Sequence, residues 1–477
     1  MKQKTKTKEL LYLKIAGSLQ QQITNGVLKP GDKLPSIRMI CREHGVSMTT
    51  AQYAYYELEA KSLIESRPQS GYYVSHAFHK RLALPDASKP VNNAVVKDVS
   101  ELFGKAFNHD EKNFTLFARG IPSTALLPVA RLKKATAQAV RDLPGGGTVY
   151  ESLQGNEKLR RQVAKWSFSW KGNLDADDIV TTAGCISAIS YCLMALTKRG
   201  DTIAVESPCF YGILQLAQSL GLKVLELPTS PATGVEMEAL KKILQKTKLA
   251  ACLFVSNFNN PFGSLMPDAH KREAVKLLAQ YNVPLIEDDI YGDLFFGHHR
   301  PACCKSYDEA GMVLWCGSVS KTLAPAYRVG WVAAGKYKDA VMKLKLFHSL
   351  YNTPVPSEVI GSFLETGRYE SHLRKLRHTL HTNYLHYTRV ISEYFPEGTR
   401  ISQPQGGLSL WVELPKAIDS ISLYNEAVKR KITFSPGRMF TLQQQFGNCM
   451  RLSYGMEWNE KTAGSLKLLG KLAKEEL

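Results

Sequence analysis

The stretch that decides the fold is Val313-Leu-Trp-Cys-Gly-Ser-Val-Ser-Lys321, which is followed by a second apolar run, Val329-Gly-Trp-Val-Ala-Ala334. The apolar residues on both sides predict buried strands, and Lys321 stands between them. An ammonium group at the end of a buried strand is costly unless it loses its charge or is hydrogen-bonded. A lysine at this position therefore needs a chemical reason.

Two explanations of Lys321 are open from this stretch alone. Reaction with an aldehyde cofactor would turn the amine into a Schiff base and remove the cost of burial, and Ser318, Ser320 and Arg328 would suit the phosphate of such a cofactor. Alternatively, Lys321 is a surface residue in a serine-rich turn, which is the usual setting of an isolated Ser-x-Ser-Lys motif. The residues upstream help to decide between the two.

Polar side chains follow two more of the predicted strands. Asn260 comes after the apolar run 251–256, and Asp288 and Tyr291 come after 284–286. Open α/β sheets bind ligands at this edge. Asp288 would pair with a protonated pyridine nitrogen, while Asn260 and Tyr291 would hydrogen-bond the phenolic oxygen of the same ring. Each motif is weak alone, since Asn-Pro-x-Gly is also a simple turn, but their order favours a pyridoxal phosphate site.

These motifs resemble those of the fold-type I aminotransferases of the aspartate aminotransferase superfamily, over residues 113–477. The resemblance implies an α/β fold-type I domain with a smaller C-terminal α+β lobe, assembled as a homodimer. It implies Lys321, Asp288 and Tyr291 as the catalytic residues. It also implies that Arg451 grips the carboxylate of an amino acid substrate or effector. A surface ion pair is the alternative role for Arg451.

The resemblance extends to further cofactor contacts. Tyr150 would reach the phosphate on the partner subunit, Phe210 would stack on the pyridine ring, and Gly184 would let the phosphate approach a helix N-terminus. Core positions are the alternative for Tyr150 and Phe210. The implied cofactor-binding residues are Tyr150, Gly184, Cys185, Ile186, Phe210, Asn260, Asp288, Tyr291, Ser318, Ser320, Lys321 and Arg328.

The first eighty residues predict a different domain. Ser36 and Ser47 each stand where they would cap a helix, and the turn Gly45-Val46 lies between the two helices. Helix, short turn, helix is the plan in which the second helix enters the DNA major groove. The runs 63–66 and 72–74 predict a β-hairpin wing. Inward-facing positions of the second helix are Ala51, Ala54, Tyr55 and Leu58, and outward-facing ones are Thr49, Thr50, Gln52, Tyr53 and Tyr56.

This block resembles the winged helix-turn-helix of GntR-type bacterial regulators, on the segments 26–38, 45–47 and 70–74. Met48 stands where that family often has arginine, so the family's base preference does not carry over. The net charge of +6 on residues 1–80, within +18 for the chain, fits phosphate contacts. A protein-interaction domain is the alternative. The implied contacts to double-stranded DNA are Arg38, Ser47, Thr49, Thr50, Gln52, Tyr53 and Arg67.

The two blocks predict a domain order of 1–78 for the DNA-binding domain, 79–112 for a linker with a short helix at 100–107, and 113–477 for the aminotransferase-like body. That order resembles the MocR-type regulators. It implies a pyridoxal phosphate-dependent transcriptional regulator that binds paired half-sites and senses the cofactor, an amino compound or both. The alternative is an active aminotransferase with a residual DNA-binding domain.

The composition narrows the location and the chemistry. The nine cysteines form no Cys-x-x-Cys pair and have no histidines at metal-ligand spacing, which predicts no metal site and a reduced cytoplasm. No apolar segment follows the basic N-terminus as a signal peptide would require, and the longest apolar run, 186–196, is too short to cross a bilayer. We therefore expect a cytoplasmic protein.

Overall fold

The computed structural model describes residues 11–61, 63–67, 70–75, 82–95 and 113–477. The predicted short helix at 100–107 and the lysine-rich residues 2–8 lie outside the described residues. The N-terminal elements are α1 (Leu11–Thr24), α2 (Ile37–His44), α3 (Met48–Ala60), β1 (Ile64–Arg67) and β2 (Gly71–Val74).

Serine side chains begin both helices of the helix-turn-helix, as the sequence predicts. Ser36 Oγ accepts a hydrogen bond of 3.2 Å from the Met39 amide, and Ser47 Oγ accepts one of 3.1 Å from the Thr50 amide. Each cap satisfies one amide that has no partner within the helix. Gly45 ends α2 in the left-handed conformation (φ 61°), which turns the chain sharply into α3.

One face of α3 forms the core of this domain. The predicted inward residues Ala51, Ala54, Tyr55 and Leu58 have no exposed surface. They pack against α1 and against the hairpin, in which Ile64 lies opposite Val74. The Tyr55 hydroxyl donates a hydrogen bond of 2.5 Å to the Pro35 carbonyl, so the loop before α2 is held by the recognition helix. The winged helix-turn-helix is therefore confirmed.

The body alternates strands and helices. In chain order its elements are β3 (Thr115–Leu116), α4 (Val129–Asp142), α5 (Glu157–Ser167), β4 (Ile179–Thr182), α6 (Cys185–Leu196), β5 (Thr202–Glu206), α7 (Tyr211–Ser219), β6 (Lys223–Leu227), β7 (Thr229–Ser230), β8 (Gly234–Val235), α8 (Met237–Lys246), β9 (Ala251–Phe254), α9 (Asp268–Gln280), β10 (Leu285–Asp288), β11 (Val313–Ser318), β12 (Gly330–Ala333), α10 (Lys338–His348), α11 (Pro354–Glu365), α12 (Arg368–Tyr394), β13 (Arg400–Ile401), β14 (Ser409–Glu413), α13 (Ser420–Lys429), β15 (Ile432–Thr433), β16 (Ser435–Pro436), β17 (Cys449–Ser453) and α14 (Glu460–Glu475).

A seven-stranded sheet in the order β4-β12-β11-β10-β9-β5-β6 organises the body. Neighbouring strands from β11 to β6 are parallel, and β12 runs antiparallel to both β11 and β4. Separate apolar clusters cover its two faces, as expected for strands that are buried on both sides. The predicted α/β class is confirmed. No helix within the described ranges is long and apolar enough to cross a membrane.

The sheet brings the predicted site to one edge. Strands β9, β10 and β11 are adjacent and parallel, so the residues at their carboxyl ends meet. Asp288 is the last residue of β10, whereas the sequence predicts that it follows the end of that strand. The smaller lobe is an antiparallel sheet, β13-β14-β17-β16, in which Arg451 pairs with Trp411 on one side and Ser435 on the other.

The described part of the segment predicted as a linker lies against the body. The Ala83 carbonyl accepts a hydrogen bond of 3.0 Å from the Ile401 amide, and Asp86 pairs with Arg400 at 2.5 Å. Val95 forms a bridge to Val224 on the edge strand of the large sheet. Residues 82–95 therefore connect the two lobes of the body rather than standing free of them.

The burial of Leu58 predicts that the N-terminal domain loses stability when this side chain is shortened. Leu58→Ala is expected to destabilise this domain by about 2–5 kcal/mol, because it leaves a cavity in a core that has no exposed surface at that position. Pulse proteolysis in urea, with N-terminal fragments identified by mass, measures the midpoint of its unfolding. Met48→Ala is the control, since Met48 is 50% exposed on the same helix. Equal midpoints for the two variants would contradict the packing described here.

Candidate functional site

A cavity of about 110 Å³ opens at the carboxyl edge of β9, β10 and β11. Most of the predicted cofactor contacts line it, although they come from segments far apart in the sequence. Gly184 and Ser318 lie next to residues of the lining, whereas Tyr150 lies elsewhere. The lining residues are Cys185, Ile186, Phe210, Val255, Asn260, Asp288, Ile290, Tyr291, Ser320, Lys321 and Arg328.

Lys321 points its amine into this cavity. Nζ donates a hydrogen bond of 2.7 Å to the Gly120 carbonyl, and the described residues provide no salt bridge to it. Burial, followed by the positive charge of Arg451, lowers the pKa of Lys321 to about 8, against the opposing effect of Asp288. A substantial fraction of the amine is therefore neutral near physiological pH, which is the form that attacks an aldehyde. The alternative of a surface lysine in a serine-rich turn is wrong.

Asp288 is buried on the opposite wall of the cavity. Its Oδ1 atom accepts hydrogen bonds of 3.2 Å from the Ile290 amide and from the Cys185 thiol. Burial raises the pKa of Asp288 to about 6, while these two hydrogen bonds limit the rise. The carboxylate is therefore ionised at neutral pH and suits a cationic ring nitrogen. The Cys185 thiol therefore contacts Asp288, whereas the phosphate contact implied for this residue belongs to its backbone N–H at the start of α6.

A positively polarised cradle lies at the N-terminus of α6. Arg328 Nη2 donates to the Ala183 carbonyl at 3.1 Å, and Nη1 donates to Ser320 Oγ at 3.3 Å. Ser318 Oγ lies 2.7 Å from Ser320 Oγ. The free amides at the start of a helix, an arginine and two hydroxyls form the kind of site that binds a phosphate group.

Backbone geometry at the cradle supports a close approach. Gly184 precedes α6 with φ 91°, and a Cβ atom there would lie 2.3 Å from Arg328 Nη2. Arg328 itself adopts a left-handed φ of 53°, which costs a residue with a side chain about 1 kcal/mol or more. Such a conformation is typical of functional sites, and here it brings the guanidinium to Gly184.

Asn260 and Tyr291 lie next to each other, as expected for two side chains that hydrogen-bond the phenolic oxygen of one ring. Asn260 Nδ2 donates a hydrogen bond of 3.3 Å to the Tyr291 hydroxyl, and both side chains are buried. Burial raises the pKa of Tyr291, and the positive charge of Arg451 only partly opposes this rise. The hydroxyl therefore keeps its proton. It can donate that proton in a hydrogen bond to an anionic oxygen.

Arg451 is buried beside this pair, with 1% of its surface exposed. Its guanidinium donates to the Ala118 carbonyl, to Ser435 Oγ at 2.7 Å and to Asn260 Oδ1 at 3.5 Å, while Nε has no partner among the described residues. None of these acceptors is a carboxylate. A buried guanidinium with neutral partners is a strong site for an anionic ligand, and the alternative of a surface ion pair is wrong.

The two predicted aromatic contacts occupy different places. Phe210 lines the cavity beside Cys185 and Ile186, with its ring 4.5 Å from that of Tyr211. Tyr150 is 76% exposed and stacks on Tyr351 at 4.6 Å. Tyr150 therefore does not reach the cavity of its own chain, and its predicted role toward a partner subunit stays a prediction.

Several buried carboxylates that the sequence analysis did not use hold the site in shape. Glu206 accepts hydrogen bonds from the Val255 amide at 2.7 Å and from Asn259 Nδ2 at 2.8 Å, next to Asn260 in the chain. Burial raises the pKa of Glu206 to about 8. Asp289 pairs with Arg300 at 2.5 Å. The sequence could have indicated these carboxylates by their positions at the ends of predicted strands. Their hydrogen-bond and salt-bridge partners are evident only from the fold.

The predicted DNA contacts occupy two settings. Arg38, Ser47 and Thr49 are exposed around the start of α3, with Thr50 partly covered behind Ser47. Along α3, Thr49, Gln52 and Tyr53 line a cleft against the body, into which Thr49 projects from its exposed position. Arg67 lies on the wing, where it hydrogen-bonds Glu65 at 2.9 Å and its guanidinium sits 4.1 Å from the Tyr73 ring centre.

Two family models match the chain in sequence. The model of aminotransferase class I and II matches residues 112–462, and the model of bacterial regulatory proteins of the gntR family matches residues 11–74. The chain is similar along nearly its whole length to two HTH-type transcriptional regulators of Escherichia coli (strain K12). It is 35% identical to YjiR, over 96% of this chain and 98% of that protein, and 34% identical to YdcR, over 98% and 99%.

A solved structure matches the body alone. It is LysN, an alpha-aminoadipate aminotransferase from Thermus thermophilus, complexed with N-(5'-phosphopyridoxyl)-L-leucine. The TM-score is 0.72 at 25% sequence identity, and the match covers 80% of this chain and 99% of that one. The body thus has the fold of an aminotransferase, whereas the full-length relatives are regulators.

The charges around Lys321 predict a pH dependence for its reaction with pyridoxal 5'-phosphate. The rate should rise about tenfold per pH unit well below pH 8 and level off above it, because only the neutral amine reacts. Stopped-flow absorption of the lysine-bound cofactor measures this rate.

Variants of the two neighbours provide opposite tests of the same profile. Asp288 raises the pKa of Lys321 and Arg451 lowers it. Asp288→Asn should therefore move the inflection of the rate to lower pH, and Arg451→Met should move it to higher pH. Shifts in the same direction would contradict this account of the site.

Proposed function

We propose that this chain, which belongs to the aminotransferase class I and II family, is a pyridoxal phosphate-dependent transcriptional regulator. Its gntR-family domain at the N-terminus gives it the MocR-type architecture. One observation carries the proposal. The chain combines a cavity that fits the cofactor with a winged helix whose recognition helix begins at the surface. The proposed domains are 1–78, a linker at 79–112, and the body at 113–477.

The cavity residues fit pyridoxal 5'-phosphate in each of its parts. Bound there, the cofactor supplies an aldehyde that captures amines and a ring that withdraws electrons from them. In the proposed arrangement, Lys321 Nζ holds the cofactor covalently and Asp288 pairs with the pyridine nitrogen. The remaining contacts are Asn260 and Tyr291 at the phenolic oxygen, Phe210 on the ring face, and Gly184, Cys185, Ile186, Ser318, Ser320 and Arg328 at the phosphate.

Arg451 determines which ligands the site accepts. Because its guanidinium is buried and has no carboxylate partner among the described residues, we propose that it binds the carboxylate of an amino acid. The same group lowers the pKa of Lys321, so a bound carboxylate would also change the charge balance around the amine. An amino acid is therefore the expected effector class.

The DNA side of the proposal rests on the winged helix. Arg38 and the start of α3 carry the contacts to the duplex, and the homodimer places two such domains on paired half-sites. The exposure of Tyr150 supports dimer formation, in which this side chain would reach the partner's cofactor phosphate. We propose a cytoplasmic location, where DNA and the cofactor are both present.

The central test measures whether the cofactor changes DNA binding. A duplex is first selected from a randomised pool by the purified protein, and its affinity is then measured by gel shift with and without pyridoxal 5'-phosphate. Lys321→Ala should lose the visible absorption band and the effect of the cofactor on affinity, yet still bind the duplex. Identical affinities for the loaded and cofactor-free wild type would contradict the regulatory function.

A second prediction concerns Arg38. Arg38→Ala should weaken binding to all duplexes and reduce the slope of log affinity against log salt by about 1, because one phosphate contact is lost. Arg42→Ala is the control, since Arg42 is exposed on the same helix but outside the predicted contacts. An unchanged salt slope in Arg38→Ala would exclude a phosphate contact.

Aminotransferase activity is the second candidate function. The observation that favours it is the complete set of Lys321, Asp288, Tyr291 and Arg451 around one cavity. In that function Lys321 Nζ moves a proton at the Cα atom of the amino acid, and Arg451 orients its carboxylate. Steady turnover of an amino acid by the wild type, lost in Lys321→Ala and accompanied by no cofactor effect on DNA binding, would favour the enzyme over the regulator.

A further inference from the structure

The outer face of the recognition helix α3 packs against a loop of the body. The His298 ring lies 5.5 Å from the Tyr53 ring and 5.8 Å from the Tyr12 ring, measured between centres. Its Nε2 atom lies 3.2 Å from Glu57 Oε2, and both side chains are less than one fifth exposed. One histidine of the body therefore contacts α1 and α3 together.

Helix α12 provides a second contact to the same domain. His378 Nε2 lies 3.3 Å from Ser66 Oγ on the wing strand, and His378 Nδ1 lies 3.9 Å from Glu59 Oε2 at the end of α3. Glu59 is buried, with 5% of its side chain exposed. The body thus holds the recognition helix and the wing at once, which fixes the orientation of the domain.

Part of the DNA-reading face is enclosed by these contacts. Thr49 and Gln52 line a cleft of about 530 Å³ whose other wall includes Phe296, His298 and Arg374. A recognition helix reads bases by entering a major groove about 12 Å wide, with a phosphate backbone on each side. The loop and α12 face this side of α3, where a duplex in the groove would place one of those backbones.

The docking loop continues directly from the cofactor cavity. Tyr291 lines that cavity, and His298 follows seven residues later. Between them, Asp293 accepts hydrogen bonds of 2.9 Å from the Tyr369 hydroxyl and 2.5 Å from Arg300 Nε. The Tyr369 hydroxyl also lies 2.8 Å from Thr322 Oγ1, in the residue that follows Lys321.

The outer half of the loop is equally constrained. The Leu294 carbonyl and the Phe296 amide hydrogen-bond the backbone at Gly407 and Gln405, each at 2.9 Å. The Arg377 guanidinium lies 3.8 Å from the centre of the Phe295 ring. These contacts pack the segment between Tyr291 and His298 against the body along its length, so one continuous, well-packed connection runs from the cavity to the recognition helix.

We propose that residues 291–298 and the adjoining face of α12 form a docking surface for the recognition helix, and that the cofactor cavity controls DNA binding by changing the occupancy of this contact. The docked state excludes the duplex, and the undocked state binds it. A ligand that favours one position of Tyr291 shifts the balance between them, in proportion to its unequal affinity for the two states. This inference rests on the proposed regulatory function and names the contact through which the cavity would control DNA binding.

Two pairs of matched variants test the docking surface. His298→Ala removes both ring contacts and the Glu57 contact, and His299→Ala is its exposed neighbour. Glu57→Ala removes the other side of the contact, and Glu43→Ala makes the same charge change on exposed α2. His298→Ala and Glu57→Ala should bind the selected duplex about fivefold tighter or more, and the ratio of affinities with and without pyridoxal 5'-phosphate should fall towards one.

The absorption band of the bound cofactor separates loss of coupling from loss of folding. His298→Ala should keep the wild-type band and cofactor affinity, because His298 lies outside the cavity. Joining the two sides is the reverse experiment. The double variant Glu57→Cys and His298→Cys, linked by a short bismaleimide, should bind the duplex about tenfold more weakly than the unlinked protein. The variants with only one of the two substitutions, treated with the same reagent, are the controls, and they also reveal any reaction at the nine native cysteines.

The possible results distinguish this inference from the function beneath it. If the linked protein binds the duplex as well as the unlinked one, or if His298→Ala retains the wild-type response to the cofactor, the docking surface is wrong while the regulatory function stands. If the wild type selects no duplex, or binds with the same affinity in both cofactor states, the proposed function is wrong and the coupling with it.

Discussion

The cavity depends on one physical constraint: two basic side chains, the partly buried Lys321 and the buried Arg451, lie close together, and Asp288 is the carboxylate among the described residues that opposes their effect on the amine. Burial and the charge of Arg451 lower the pKa of the amine to about 8, and the guanidinium itself is hydrogen-bonded to neutral acceptors. The positive potential is relieved by ligands that bring anionic groups, namely a phosphate and a carboxylate. The proposed binding of a phosphate and a carboxylate at this site rests on that imbalance.

Buried carboxylates on the neighbouring strands keep this arrangement in place. Glu206 fixes the loop that carries Asn260 by accepting hydrogen bonds from a backbone amide and from Asn259, and Glu226 does the same for the segment at Thr441 in the smaller lobe. Asp293 joins the residue after Lys321 to the loop beneath the recognition helix, through Tyr369. Buried polar side chains therefore fix the segments that form the cavity, the smaller lobe and the loop beneath the recognition helix.

Local signals in the sequence predicted much of this, because they reflect local physics. Ser36 and Ser47 cap helices wherever those helices lie, and Leu58 follows a helical period set by its own segment. The order of Asn260, Asp288 and Lys321 after successive strands predicted a shared edge, since parallel neighbouring strands end together. The contact of the Cys185 thiol with Asp288 had no such local signal, because the direction of a side chain at a helix N-terminus depends on the neighbouring strand.

The sequence by itself determined the two domains, the sheet and the residue types at the cavity, because periodicity, capping and strand-end motifs act over a few residues. Only the tertiary structure decided which distant groups meet. The contacts of His298 with Glu57 and of His378 with Ser66 join segments more than 200 residues apart. The fold likewise determines that the buried carboxylate of Asp293 is hydrogen-bonded to Tyr369, which lies 76 residues away in the sequence. Such pairings arise from the packing of whole elements, whose relative positions no local pattern encodes.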